Sequence, residues 1–351
     1  MKNNSRCLNI DILRKYKKTI DLIIDYAKKK KCFVAFRIEP ERITFYYKGR
    51  VAVALFLTTK NLYIKPRNFS TSKKEYIKGI TLSYKQKLER KGMLIDGKIY
   101  RIPVTPQLDY QYIIDVTCEY LDQYYKNKEE EKIIQNDIAY KYQDYSDKWV
   151  CVDQEYNQCF DSQTEKDNSG IRGRYDFIML RNTGEKYKIV FLELKSTIAA
   201  CKDSSSGIIN HYSDMKKFID IYKSNKNNTK NIIREEIEFI LHIKFPSKEI
   251  KVDYDYPEYG FLFKMIKKEK TPKTFSDIET IIKGEIDKAV HIKESYHKGQ
   301  NKKAYASMIN NKIVIGNSEM KKFDIQEKDL NILLEELRNI KMYTEEFEEI
   351  K

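Results

Sequence analysis

RYDFIMLRNTGEKYKIVFLELK, residues 174–195, is the stretch from which the reading of this chain starts. It predicts two apolar strands, Tyr175 to Leu180 and Lys188 to Leu194, with Asn182, Thr183 and Gly184 as turn formers between them. Both runs are nearly continuous in apolar residues, the pattern of strands covered on both faces. Three charges interrupt them: Asp176 early in the first run, Glu193 and Lys195 at the end of the second. A charge in a buried strand is costly unless it is paired or holds a metal. A turn symmetric about Gly184 and Glu185 sets Asp176 opposite Glu193, and period-two alternation puts Glu193 and Lys195 on one face. Two carboxylates and an ammonium then converge at the open end of a hairpin. An acid-x-base triplet alone is cheap in a chain with 66 basic and 52 acidic residues; its place at the end of IVFLELK is what carries information.

The 351 residues suffice for two modest domains, and 41% hydrophobic content can supply their cores. No run of 18 apolar residues predicts a membrane span. The start, MKNNSRCLNI, lacks an apolar signal region, so the cytoplasm is the expected location. Cys7, Cys32, Cys118, Cys151, Cys159 and Cys201 show no CxxC spacing, which argues against a zinc site or a disulfide framework. The net charge of +14 is unevenly placed: residues 1–120 hold 26 Lys and Arg against 11 Asp and Glu, so the excess lies in the N-terminal third. A basic module beside a near-neutral one points to a nucleic-acid partner, DNA being the expectation.

Residues 1–125 read as a basic α+β module. An amphipathic helix over 9–30 ends in the Lys28–Lys31 run. Strands at 32–38, 42–47, 51–58 and 62–65 then form an antiparallel meander, and helices follow at 78–91 and 107–128. Tyr46, Tyr47, Lys48 and Arg50 put aromatics and cations together, as stacking on bases and contact with phosphate require. Lys48 and Arg50, with Lys65 and Arg67, are the candidate substrate contacts. Residues 126–351 read as helix (129–145), strand (148–156), the central hairpin, and a helix over 207–222 capped from Ser204–Ser206. Asp153 and Glu155 are read as a solvated strand end, or as neighbours of the site. The polar segment 161–173 is read as a mobile loop. Residues 235–243 are helical or extended, 259–266 a strand, and 325–350 a helix serving packing or homodimer formation.

The order helix, strand, aspartate-bearing strand, ELK strand, helix resembles the PD-(D/E)xK nuclease superfamily over roughly residues 127–225. Tyr175 stands where that pattern has proline. The whole chain is similar to a bacterial group in that superfamily with a strand-rich N-terminal module. The matching segments are FYYKG at 45–49, EKIIQ at 131–135, GRYDFIML at 173–180, FLELK at 191–195 and SGIINHYSDM at 206–215. The resemblance implies an α+β or α/β protein: a restriction-endonuclease-like core (helix, mixed sheet, helix) preceded by the smaller basic module. It implies Mg²⁺- or Mn²⁺-dependent hydrolysis of phosphodiester bonds, endo- or exonucleolytic. Asp176, Glu193, the Leu194 carbonyl and Glu131 are then the metal ligands, and Asp176, Glu193, Lys195 and Glu131 the catalytic set. Gln135 and His211 are candidates for substrate phosphate. The chemistry suits the residues, since carboxylates are hard ligands for Mg²⁺ and an ammonium beside the metal can steady phosphoryl charge. The alternative is a catalytically silent nucleic-acid-binding or assembly protein that keeps the fold; the intact charges argue against it.

Overall fold

The computed structural model describes residues 10–37, 42–58, 60–68, 75–95, 97–126, 130–158, 173–202, 207–225, 228–266, 269–282, 305–309, 312–316, 323–326 and 334–350. The expected mobile loop at 161–173 and the Ser204–Ser206 cap fall almost wholly outside them. The protein is mixed α+β; the described residues form a five-stranded antiparallel sheet, a five-stranded mixed sheet and two smaller antiparallel sheets. No helix among the described residues is long and apolar enough to cross a membrane.

The chain forms two units, and neither is a continuous segment. The first takes Met1–Gln154, Met179–Glu185 and Ile232–Lys251; the second takes Glu155–Ile178, Lys186–Asn231 and Val252–Lys351. The division therefore departs from a single boundary near residue 125.

The first unit opens with helices α1 (Ile10–Lys15) and α2 (Lys17–Lys29), then strands β1 (Phe33–Arg37), β2 (Arg42–Tyr47), β3 (Arg50–Leu57) and β4 (Leu62–Pro66). Helix α3 (Glu75–Glu89) follows. Next come the short strands β5 (Leu94–Ile95), β6 (Lys98–Ile99) and β7 (Ile102–Pro103), and helix α4 (Tyr110–Tyr124). The meander is antiparallel in the order β1-β2-β3-β4-β7. Val34, Phe36, Ile43, Phe45, Val53, Leu55 and Ile64 alternate onto one face, and all are nearly inaccessible.

Helix α5 (Glu130–Lys141) and strand β8 (Trp149–Gln158) up to Gln154 cluster with this sheet for two identifiable reasons. The β2–β3 hairpin closes through Lys48 and Gly49, both at positive φ (49° and 69°), the geometry of a two-residue type I′ turn. A Cβ on Gly49 would stand 2.2 Å from the Lys132 carbonyl oxygen, so only glycine lets α5 come this close. The segments FYYKG and EKIIQ thus meet in space. Beyond α5, the Gln143 carboxamide serves the free edge of β1: it accepts the Val34 amide hydrogen (3.2 Å) and donates to the Cys32 carbonyl (3.3 Å). The helix expected to run to residue 145 ends at Lys141, which frees Gln143 to act as a one-residue edge strand.

Strands β9 (Gly173–Asn182), which belongs to the second unit up to Ile178, and β10 (Tyr187–Lys195) form the expected hairpin around a four-residue turn. Helices α6 (Ile198–Lys202), α7 (Ile208–Lys223) and α8 (Thr229–Lys244) lead to β11 (Val252–Phe263), which pairs with β10 in parallel. A parallel partner needs such a crossover. The mixed sheet runs β15 (Lys341–Thr344), β11, β10, β9, β8, so β10 lies at its centre and is buried along its length except at Lys188. Strands β12 (Tyr305–Ile309), β13 (Lys312–Gly316) and β14 (Phe323–Gln326) make a small antiparallel sheet that the sequence reading does not anticipate.

The tail corrects the sequence reading. Residues 325–350 are not one helix: they hold the end of β14, a short helix over 334–338 and strand β15 (Lys341–Thr344). Met342 and Tyr343, 1% and 2% exposed, pack as the parallel partner of β11, so the sheet edge takes apolar residues that also fit a helix face.

Two outcomes test this packing. Gly49→Ala should destabilise the protein by at least about 2 kcal/mol, from the left-handed backbone penalty and the clash with α5, measured by chemical denaturation. The second concerns Lys244, whose ammonium donates to the Cys151 carbonyl (3.1 Å) and faces the Phe33 ring (4.8 Å). Burial lowers its pKa from 10.5 to about 8, against the raising influence of Cys151 and Asp153. Between those values the unfolded chain holds a proton that the folded chain has released, so this group's contribution to stability rises with pH. Comparing wild type with Lys244→Met cancels the other titrating groups. The wild type should gain in melting temperature relative to the variant as pH rises through 8 towards 10.5.

Candidate active site

The site is built on the open end of the β9–β10 hairpin. Alternation along β10 puts Phe191, Glu193 and Lys195 on one face. Across the parallel register, Phe191 pairs with Tyr259, Glu193 with Phe261 and Lys195 with Phe263. An aromatic cluster fills the inner part of this face. Phe191 stacks on Tyr259 (centroids 5.3 Å), Tyr175 meets Phe191 (4.9 Å), and Phe218 of α7 stands edge-on to both Phe191 (5.5 Å) and Tyr175 (5.2 Å). Tyr175 is thus a core residue, 4% exposed.

This cluster seats α7. His211, Met215, Phe218 and Tyr222 recur at spacings of four, three and four and share one stripe of the helix. Phe218 fixes the lower part of the stripe on the aromatic cluster. His211, two turns earlier, then comes to Glu193: its Nδ1 is 2.9 Å from Glu193 Oε2. Glu193 is 6% exposed and Lys195 3%, so a carboxylate and an ammonium both lie inside the strand end. The Lys195 ammonium also stands 5.8 Å from the centroid of the Phe261 ring.

Asp176 is half-buried, and its Oδ2 accepts the Leu194 amide hydrogen at 2.8 Å. The first carboxylate is therefore held against the Glu193–Leu194 peptide by a backbone donor. The structure brings together Asp176, Glu193, Leu194, Lys195 and His211, all in the second unit. Among the described residues, no group of three or more His, Cys, Asp or Glu gathers as a ready-made metal cage.

The remaining candidates belong to the first unit. Glu131 is half-buried on α5, and Gln135, one turn on, is 1% exposed and accepts a hydrogen bond from Lys132 Nζ (2.9 Å). Lys48 Nζ lies 2.5 Å from Asp122 Oδ1, and the Arg50 guanidinium sits over the Tyr125 ring at 5.5 Å. Arg67 donates to the Val51 carbonyl (3.0 Å) and to the Tyr125 hydroxyl (3.3 Å). In the lysine run at the end of α2, Lys28 pairs with Asp144 (2.5 Å) and Lys30 with Asp115 (2.8 Å). Hydrogen bonding to Asp115 raises the Lys30 pKa.

Asp153 is a correction. It is not a solvated strand end but is 4% exposed and ion-paired with Arg37 of β1. Arg37 also donates to the Gln154 carbonyl (2.6 Å) and the Tyr46 hydroxyl (3.2 Å). Burial raises the Asp153 pKa, and the Arg37 charge opposes it. The signal was present in both strands, each an apolar run closed by a single charge (CFVAFR and WVCVD). Their pairing is a contact between residues 116 apart and could not be read locally. Glu155 follows at φ +52°, outside regular strand geometry, where the chain passes from the first unit to the second.

Comparison of the chain with protein-family models, with curated proteins and with solved structures finds no match in any of the three.

Phe218→Ala should cost about 3–5 kcal/mol, as expected for removing a fully buried ring. It should also free His211 from Glu193, seen as a changed His211 imidazole signal in NMR. Phe218→Leu should retain most of both.

Proposed function

We propose that the chain is a metal-dependent nuclease that hydrolyses phosphodiester bonds in nucleic acid, DNA being the expected substrate. The observation that carries this reading is the convergence at one hairpin end: the Asp176 carboxylate on the Leu194 amide, with Glu193 and Lys195 buried beside it. Evenly charged strand ends are ordinarily solvated; a carboxylate and an ammonium kept within a buried strand end are costly and suit a functional site.

The donor set fits Mg²⁺ or Mn²⁺. Mg²⁺ is commonly held by one or two carboxylates, with water and substrate phosphate completing its shell, so a three-residue cage is not required. Asp176 and Glu193 would hold the ion, with the Leu194 carbonyl. When bound, such an ion offsets charge on the phosphate and lowers the pKa of an attacking water.

The protein's own groups do the rest. The Leu194 amide fixes one oxygen of Asp176 and so orients the other. His211 fixes Glu193 through Oε2, as a hydrogen-bonded neighbour commonly orients a ligating carboxylate. Lys195 offers an ammonium to the phosphoryl oxygens as negative charge grows on them, and can orient the water that attacks phosphorus. Burial of Lys195 strengthens that attraction over its value in open water.

The test is incubation with plasmid, linear duplex and single-stranded DNA in Mg²⁺, Mn²⁺ or EDTA. Cleavage should require the metal. Asp176→Ala and Glu193→Ala should abolish cleavage and lose Mn²⁺ binding in calorimetry. Lys195→Ala should lose cleavage yet keep Mn²⁺ affinity, because an ammonium is not a ligand. Unchanged Mn²⁺ affinity in both carboxylate variants would sink the assignment.

A further inference from the structure

The first sheet has two unlike faces. One is wholly apolar, as described above. The other carries, in a single row across four strands, Arg37, Arg42, Phe56 and Tyr63, each the direct partner of the next. Directly opposed residues in antiparallel strands share a face, so these side chains are neighbours. The adjacent row on this face is Ala35, Thr44, Ala54 and Lys65. Arg101, just before β7, lays its guanidinium on the Phe56 ring, 3.8 Å from the centroid.

Arg37 is committed to Asp153, Tyr46 and the Gln154 carbonyl. Arg42 is not comparably satisfied: its Nε is buried without a hydrogen-bond partner. Burial, then the neighbouring charges of Arg37 and Arg101, lower the Arg42 pKa, with Tyr46 opposing. A buried donor lacking an acceptor costs free energy, and cations gathered beside it add repulsion. An anion would relieve both at once, most strongly one with the oxygens of a phosphate. By contrast Lys48 and Arg50, the basic pair of the β2–β3 turn, are already engaged by Asp122 and Tyr125.

We infer that Arg42 and Arg101 form a phosphate-binding site for a nucleic-acid backbone, with Tyr63 and Lys65 continuing the contact along the same sheet face. Arg101 is exposed, and Arg42, Tyr63 and Lys65 are half-buried, so cations and an aromatic are reachable on β2, on β4 and beside β7, with Phe56 and Thr44 buried between them. Such a row suits a polymer of phosphates with bases between them. The charge excess of residues 1–120 favours the same partner. The inference rests on the reading that the chain acts on nucleic acid, and it moves the main contact away from the β2–β3 turn.

The experiment uses the full chain with labelled duplex and single-stranded DNA, in EDTA, followed by fluorescence anisotropy across a salt series. Arg101→Gln and Arg42→Gln should each flatten the plot of log affinity against log salt by about 0.9 on duplex, or about 0.7 on single strands; the double variant should lose about twice as much. Lys48→Gln with Arg50→Gln should leave the slope near its wild-type value. Arg101 is exposed and its replacement should not disturb folding, which a melting curve checks. Wild-type affinity and slope in Arg101→Gln would overturn the site, even if Arg42→Gln weakens binding through a lowered melting temperature. In that case metal-dependent cleavage would still stand. A full chain that binds neither DNA at low salt would overturn the inference, and the absence of cleavage in Mg²⁺ and Mn²⁺ would then remove the nuclease reading as well.

Discussion

Glu193 and Lys195 sit inside a strand that is buried from Ile189 onward, and the second unit is arranged around that cost. An ionised group taken out of water loses several kcal/mol of hydration unless other groups replace the water. Here the replacement comes from outside β10. His211 reaches Glu193 from α7, and the Phe261 ring of β11 faces Lys195. Asp176 is secured from the other side of the hairpin by the Leu194 amide. The aromatic cluster of Tyr175, Phe191, Phe218 and Tyr259 is what makes these positions dependable, because it fixes α7 and β11 against β10 within one packed layer. Packed rings transmit position because interiors have little free volume to absorb a shift.

The first unit solves a different problem. An antiparallel meander has two edges, and β1 is one of them. Gln143 occupies that edge with both ends of its carboxamide, and Arg37 binds Asp153 just beyond. Both interactions draw α5 and β8 to the meander. Gly49 makes the approach sterically feasible at the other end of α5. Lys48 and Arg50 of the β2–β3 turn are spent on internal partners, whereas at the opposite end of β2 the buried Arg42 Nε is not. Net charge alone does not distinguish these two groups; their hydrogen-bond partners do.

The β9–β10 hairpin was legible because its information is local. Apolar runs of strand length, a turn of Asn, Thr and Gly, and period-two alternation specify it without reference to the rest of the chain. The meander was legible for the same reason, and its β2 strand begins and ends at the residues expected. Helix α7 was placed within about a residue by its apolar stripe. The misread tail shows where this kind of reading fails. Met342 and Tyr343 are apolar at a spacing that several structures accept, and the edge of β11 selects the strand. The two units are discontinuous in sequence for a related reason. Sequence order shows where charge changes, whereas compactness depends on contacts such as Gly49 with Lys132, made between residues far apart in the chain.

By itself the sequence determined the strands of the hairpin, the face shared by Glu193 and Lys195, and the concentration of positive charge before residue 120. Each follows from bond geometry or from counting, and none of the three depends on what packs nearby. Tertiary structure alone decided that His211 meets Glu193, that Asp176 rests on the Leu194 amide, and that Asp153 is paired with Arg37. It also decided which cations remain available, by pairing Lys48 with Asp122 and leaving the buried Arg42 Nε without an acceptor. Hydrogen bonds act over about 3 Å, and only the folded chain brings side chains tens or hundreds of residues apart within that range.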